Sequence, residues 1–528
     1  MNYLLNIVIF FPAFAALLLY VLKGENSRIF AILVGILELL FVALLWNEFN
    51  VNYGGIQLST HYELISSYNI SYFVGIDGVS LFLLTLNAFI TLLTLYFFKY
   101  LRTPLIIAIL FLESIVMGVF SALDVMMFYI FWELSLLPVL YIIGVWGGER
   151  RIYASIKYFL YTFGASLVML VGILYFAYQY FLIMGAWSFN LIDWYQISLD
   201  IDTQKWLFVA FFIGMAVKIP IFPLHSWQPH AYTQAPLVGS VLLSAVLSKM
   251  GTYGLLRLVL PLFPFTSSNI SLFIGLVCVF MVVYGAFIAL AQTNLKTFLA
   301  YSSLSHMGII VLGIFSLNTE GLSGAVFFMV AHGIVVGALF MLVGVLQTRT
   351  QTQDLQDVQG LAHSMPKYSS VFGIVMMCSL GLPLTMGFVG EVLSLYGFFQ
   401  VNPIIAFLAG SSFFVGAIYM LTMFRKVFFG SALPKYTTLK DLNLREKIVF
   451  IPILVIIIWL GVYPKPLLTP ISTSAETLSQ VIAAKIQLTN PTTDNTMDNA
   501  EEKLEYPLGN IPQDFNDDGV LFIPRIGE

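Results

Sequence analysis

Charge is what this chain has least of. Of its 528 residues, 24 are Lys or Arg and 28 are Asp or Glu, 10% in all, where a soluble domain carries about 25%. That shortage excludes a water-solvated globular fold and leaves no basic surface for nucleic acid. Cysteine is nearly absent as well. Cys278 and Cys378 both lie in apolar runs, which excludes a disulfide framework and gives no metal-ligand spacing. No phosphate loop, dinucleotide fingerprint or iron–sulfur ligand run is present. Residues 1–22 are apolar but no small-residue cleavage site follows them, so this segment is expected to stay as a membrane span. If the chain serves a redox machine, the redox groups are carried elsewhere.

What is present is apolar length. Hydrophobic residues make up 59% of the chain and the mean hydropathy is +0.90. A helical span needs roughly 20 apolar residues. The sequence predicts an all-α polytopic membrane protein of about fourteen transmembrane helices, centred near Phe11, Val34, Asn87, Ile109, Leu136, Met169, Gly214, Val246, Phe280, Ile309, Val336, Leu380, Gly416 and Val455. Two longer connections fall at 47–77 and 186–205. From Asn490 the chain turns polar and acidic, the composition of a solvent-exposed tail.

Lys and Arg gather in alternate loops: Lys23 and Arg28, Lys99 and Arg102, Arg150 and Arg151, Lys296, Arg349 and Lys367, then Arg425 to Lys440. The other loops hold Glu48, Glu63, Asp124, Asp193, Asp200, Asp202 and Glu320, with Lys205 and Arg257 as exceptions. The basic loops are therefore expected on the cytoplasmic or matrix side, and both termini and the acidic tail on the outer side.

Two spans are broken. The seventh reads GMAVKIPIFPLHSWQPHAYTQAP, with Pro220, Pro223 and Pro229; the twelfth reads MMCSLGLPLTMGFVGEVLSLYG, with Gly381, Pro383, Gly387 and Gly390. Proline removes an amide donor and frees a carbonyl. In lipid this is tolerated only where protein or a wet cavity satisfies the backbone. The breaks are five spans apart, which predicts two inverted five-helix repeats, each with a discontinuous helix. The expected units are 1–103 (three spans), 104–262 and 263–430 (the repeats), 431–488 (the last span and its flanks) and 489–528 (the tail).

Inside these apolar runs sit Lys218, Lys249, Glu113, Glu133 and Glu391. A charge at the bilayer centre costs about 2.5–3.5 kcal/mol even on a lenient scale. Lys218 and Glu391 each stand in a broken span. Charges so placed point to a path for protons or ions.

The stretch FYIFWELSLLPVLYIIGVWGGERRIYASIKYFLYTFGAS resembles the M subunit of proton-pumping NADH:quinone oxidoreductase, respiratory complex I, called subunit 4 in mitochondria. So do KIPIFPLHSWQPHAYTQAPLVGSVLLSAVLSKMGTYGLLR, LKTFLAYSSLSHMGIIVLGIF, GLPLTMGFVGE and YMLTMFRKVFFG. The resemblance runs from about Gly75 to Gly430, and the wider family includes Mrp-type antiporter subunits. The GVWGGERR run favours the M subunit over the L and N paralogues, and no long C-terminal lateral helix is expected.

The resemblance implies a role for each charge. Glu133 is expected to pair with Lys218, Lys249 to be the central lysine, and Glu391 the exit-side acid. Glu113 is similar to a second glutamate on the fourth span. His306 and His332 match histidines on the polar line through the membrane, and His225 one near the first break. The family usually reads Trp-Leu-Pro-acid-Ala-His after that break; here His230 and Tyr232 stand at the acid and histidine positions, and Gln351 replaces a histidine after the eleventh span. The implied activity is proton translocation as an antiporter-like subunit of a translocase, through a Glu–Lys–Lys–Glu relay, with a sodium/proton antiporter subunit as the alternative. No cofactor is expected in this chain. NADH, FMN, iron–sulfur clusters and quinone are expected in partner subunits, which include the L and N paralogues. The implied location is a bacterial inner membrane, with the mitochondrial inner membrane as the alternative.

Overall fold

The computed structural model describes residues 3–22, 26–431 and 433–489. Lys23 and the acidic tail lie outside the described residues. The chain is mostly helical: α1 (Leu4–Leu22), α2 (Ser27–Glu48), α3 (Gly78–Phe97), α4 (Thr103–Ser121), α5 (Val125–Trp146) and α6 (Arg151–Met184). There follow α7 (Ile201–Lys218), α8 (Trp227–Gln234), α9 (Leu237–Leu262), α10 (Pro264–Leu290), α11 (Leu295–Ile314) and α12 (Thr319–Thr350). The last are α13 (Pro366–Ser379), α14 (Met386–Val401), α15 (Pro403–Phe428), α16 (Leu444–Val462) and α17 (Lys465–Thr489).

Among the described residues eleven helices are long and apolar enough to cross a membrane, or twelve if α16 and α17 count as one bent span. The difference from fourteen lies in the two broken runs and α16. The broken runs are divided into halves, α7 with α8 and α13 with α14, and α16 meets the criterion only together with α17. Helix starts follow side-chain caps. Asp77, Asp124, Asp200, Asn294 and Asn318 each accept an amide of the turn they precede, satisfying donors that have no intrahelical partner.

The all-α expectation fails at 57–76. Here β1 (Gln57–Ile65) and β2 (Ile70–Ile76) form an antiparallel hairpin, pairing Gln57 with Ile76, Thr60 with Val74 and Ile65 with Ile70. The turn is a short 3-10 segment closed by Asn69 at φ 48°, a left-handed position that asparagine tolerates. Asp124 ties the hairpin down: its carboxylate accepts from Ser71 N at 2.9 Å while capping α5.

The other unforeseen element is α17. The chain bends by 62° after α16 and α17 runs across the connections on one side. Ile471, Ala475, Leu478 and Ile482 fall at helical spacing and are buried. The Lys485 amine donates to Pro261 O at 3.0 Å and Ile197 O at 3.3 Å. Ser479 donates to Leu317 O at 2.9 Å. Arg257, read from sequence as a loop residue, is instead inside α9, 5% exposed and paired with Asp77 at 2.7 Å. Its long run of apolar neighbours continues the helix beyond the expected boundary.

Gly78 shows how closely α17 is seated. Its amide donates to Ser474 Oγ at 2.9 Å, and a Cβ there would strike the Pro470 carbonyl. We expect Gly78→Ala to push α17 off its seat at a cost of about 1–3 kcal/mol. The measurement is the unfolding temperature of the purified protein; an unchanged value contradicts this account of α17 as a packed strap.

Candidate functional site

Lys218 ends α7 at the first break. Ile219 and Pro220 leave the helix, and the Val217 carbonyl, which the break deprives of its helical partner, accepts from Trp227 Nε1 at 2.8 Å. The same indole packs on Tyr158 at 5.1 Å between ring centroids. The Lys218 amine is 2% exposed and donates to Ser135 Oγ at 3.1 Å and Tyr158 OH at 3.2 Å. It also lies 5.4 Å from the Trp132 ring centroid, within cation–π range.

Glu133 does not close on Lys218. The structure contains no contact within 4 Å between them, and Glu133 Oε1 has no hydrogen-bond partner. The expected direct pair is thus an open one, joined through space. The reason is helical phase. Ser135 is two residues from Glu133, about 200° around the helix, so when Ser135 faces the break Glu133 turns toward Tyr129 and Ser166.

Lys249 lies in α9, which is buried from Val238 to Leu262. Two π-helical turns, Leu243–Leu247 and Leu255–Val259, flank it. Such turns widen the hydrogen-bond ladder and often mark functional positions. The Lys249 amine is 0% exposed and has three partners: Ser244 O at 2.8 Å, Ser248 Oγ at 3.3 Å and His332 Nδ1 at 2.8 Å. An ammonium only donates, so it requires His332 to accept at Nδ1 and to carry its proton on Nε2. A neutral amine can accept from Nδ1–H instead. The contact is therefore suited to passing a proton either way.

His332 Nε2 has no partner and its ring lies 5.7 Å from that of His306. Beyond His306 is a narrow void bordered by Ser305, Ser379, Glu391, Ser412 and Tyr419. Its volume of about 10 Å³ is close to what one water requires. Glu391, 2% exposed, accepts from Ser412 Oγ at 2.6 Å. The second break brings Gly381 against this acid. Gly381 has φ +68°, and a Cβ on it would lie 2.9 Å from Glu391 Oε2 and 2.6 Å from Phe413. Glycine is needed there for conformation and for space.

The structure thus brings together Lys249, His332, His306 and Glu391. Lys218 is linked to them less directly. Tyr232, wholly buried, donates to Leu243 O at 3.1 Å, and its ring lies 6.4 Å from that of Trp227, which packs on Tyr158. Tyr158 thus holds Lys218 and Ser248 holds Lys249, with Tyr232 near Tyr158 through Trp227 and no direct hydrogen bond joining the three hydroxyls. His225 is off this line, its Nε2 3.3 Å from Tyr284 OH and its ring on Phe222. Glu113 is off it too, on α4. Sequence reasoning missed Ser135, Tyr158 and Ser412, since buried hydroxyls have no spacing signal. It also passed over Glu38, a carboxylate in the second apolar run; and Lys296, read as a loop residue, is instead buried in the first turn of α11, its amine donating to the carbonyls of Thr233 and Ala235 at the end of α8. Among the described residues no group of three or more His, Cys, Asp or Glu could hold a metal ion.

Comparison with known proteins adds the lineage. The family described as NADH:quinone oxidoreductase/Mrp antiporter, TM, matches residues 122–416. The NADH-quinone oxidoreductase subunit M of Rhodobacter capsulatus is 39% identical over 484 residues, 88% of this chain and 94% of that protein. The subunit M of Rickettsia prowazekii is 35% identical, covering 90% and 98%. The NADH-ubiquinone oxidoreductase chain 4 of Chondrus crispus is 37% identical, covering 89% and 96%. Among solved structures, a chain of respiratory complex I from Thermus thermophilus with bound NADH superposes with a TM-score of 0.84 at 29% identity, covering 90% of this chain and 99% of that one. A chain of the Mrp complex from Dietzia sp. shares the fold, with a TM-score of 0.79 at 19% identity and coverage of 95% and 99%. On its buried lysine–histidine interior, its broken helices and these relatives, the chain belongs to the NADH:quinone oxidoreductase/Mrp antiporter membrane family, with the M subunit (chain 4) of NADH-quinone oxidoreductase as its kin.

Proposed function

We propose that this chain is an antiporter-like, proton-translocating membrane subunit of a NADH:quinone oxidoreductase. The observation that carries the reading is the buried line from Lys249 through His332 and His306 to Glu391. It contains groups that can hold or release a proton, each close to the next, and it runs toward the second broken helix. In this reading the chain has about fourteen spans and two inverted five-helix repeats. The repeats are supported by helix order: in each, a helix of 34 or 32 residues, α6 or α12, precedes the broken one. NADH, FMN, iron–sulfur clusters and quinone would be held by other subunits, and the L and N paralogues would be membrane neighbours.

In the proposed cycle, electron transfer elsewhere changes the charge felt by Glu133. Movement of Glu133 toward or away from Lys218 decides whether that lysine keeps its proton among Ser135, Tyr158 and Trp132. Water moving between the hydroxyls of Tyr158, Tyr232 and Ser248 then relays it to Lys249, and His332, His306 and a water carry it to Glu391. Tyr232 replaces a titratable histidine with a hydroxyl, which passes a proton on without storing it. Moving one charge against 100 mV requires about 2.3 kcal/mol, within reach of rearranging one or two buried charge contacts. A sodium/proton antiporter subunit is the alternative reading, supported by the shared fold of the Mrp chain. Copurification with quinone-reducing subunits separates the two.

Lys218→Met is expected to leave the complex assembled while proton pumping and coupled quinone reduction each fall about tenfold or more, a loss of ~1.4 kcal/mol or greater. Glu133→Gln should act alike, and Glu133→Asp more mildly because the charge survives. The measurements are NADH:quinone turnover and vesicle acidification, and wild-type values for Lys218→Met contradict the relay.

In the proposed topology the basic loops face the cytoplasm and both termini the outer side of the membrane, the periplasm in a bacterium, a reading supported by the Lys and Arg asymmetry between alternate loops. Protease added to intact spheroplasts should remove the segment after Thr489. Protection in spheroplasts with cleavage only in inverted vesicles would reverse this orientation.

A further inference from the structure

Away from the lysine–histidine line, α2 and α4 bury two carboxylates against each other. Glu38 is 0% exposed and Glu113 1% exposed. The two helices start side by side, Ser27 Oγ lying 3.0 Å from Thr103 Oγ1, so Glu38 and Glu113, three turns further on, stand at the same depth; the Glu113 charge acts on Glu38, and none of their four oxygens has a hydrogen-bond partner. Among the described residues no ion pair compensates them: Arg28, the cation on α2 itself, donates to the Tyr96 and Phe98 carbonyls. Of the ionisable groups on neighbouring helices, Lys249 and His332 are bonded to each other. Tyr253 donates to Phe120 O, Arg257 is paired with Asp77, and Glu133 is itself an acid. Two uncompensated anions at membrane depth cannot both persist, because each would bear the full cost of desolvation plus mutual repulsion.

A second observation marks the place as a ligand site. The Thr91 hydroxyl, on a residue 1% exposed, also has no partner. Thr91, Asn87 and Glu113 border one narrow void of about 10 Å³, room for about one water. The rest of its lining is aliphatic: Ile109, Leu112, Val116, Leu242, Val246 and Leu247. That leaves too few oxygens for a hard metal cation, which takes about six or more.

We propose that Glu38 and Glu113 form a proton-binding pair, a carboxylic acid beside a carboxylate that holds one exchangeable proton next to a water site at α9. Uptake converts one carboxylate to a carboxylic acid and release reverses it, through the Thr91 hydroxyl and the void; no electron moves. The void borders the π-helical turn whose Ser244 carbonyl holds Lys249, so the pair lies beside the central lysine without belonging to its line. The pair's existence does not depend on that line carrying protons.

The test is infrared difference spectroscopy between high and low pH on the assembled complex in lipid vesicles, in H₂O and D₂O. The wild type should show a protonated-carboxyl C=O band that shifts on deuteration. Glu38→Gln should move the Glu113 band, because its partner charge is gone, and Glu38→Gln with Glu113→Gln should abolish it. A band unmoved in the single variant, or intact in the double one, overturns the pair. So does a band that depends on added sodium ion at constant pH, which would make the site a metal-cation site. If the double variant fails to assemble, the single variant decides. Normal pumping by Lys218→Met would contradict the relay while leaving this band untouched, so the two failures are distinguishable.

Discussion

The amine of Lys249 is shut away from both water and lipid, and the polar interior is arranged around that fact. A buried ammonium must be compensated or give up its proton. Here its compensation comes from one carbonyl, one hydroxyl and one imidazole, with no carboxylate in contact. Neutral partners hold the amine in place without fixing its charge, as the proposed relay requires. The local backbone follows from the same need. A regular α-helix would keep the Ser244 carbonyl within its own ladder; the π-helical turn ending just before Lys249 leaves it able to accept from the amine.

The two broken helices present different solutions to one problem. At the first, proline ends α7 and an indole takes the freed carbonyl, so Lys218 sits in an aromatic box with two hydroxyls. At the second, glycine permits a left-handed turn pressed against Glu391. One break thus presents a base and the other an acid, and the helices between them supply histidines. The acid and base are each satisfied by hydroxyls, Ser135 and Tyr158 or Ser412.

Much of this was legible in the sequence. Apolar length located the helices because lipid demands it, and proline and glycine located both breaks because nothing else disrupts a helix so reliably. Lys218, Lys249 and Glu391 stood out as charges in runs that otherwise have none. The hairpin at 57–76 was not legible. Its alternation is blurred on both strands, because the second half of β1 is exposed on both faces and β2 is buried along most of its length. The course of α17 depends on distant carbonyls that no local pattern encodes. The family resemblance implied that Glu133 pairs with Lys218; the phase of α5 gives the lysine to Ser135 instead. Glu38 was missed because one acid in the middle of GILELLFV reads as an interruption until Glu113 is seen beside it.

The most direct test of the central claim is the number of protons moved per electron by the complex carrying Lys249→Met, reconstituted in proteoliposomes. Methionine keeps the length of the side chain and removes its proton. If the line through Lys249 carries protons, the ratio falls below that of the wild type in an assembled complex. A full wild-type ratio at wild-type turnover would show that the protons travel by another route.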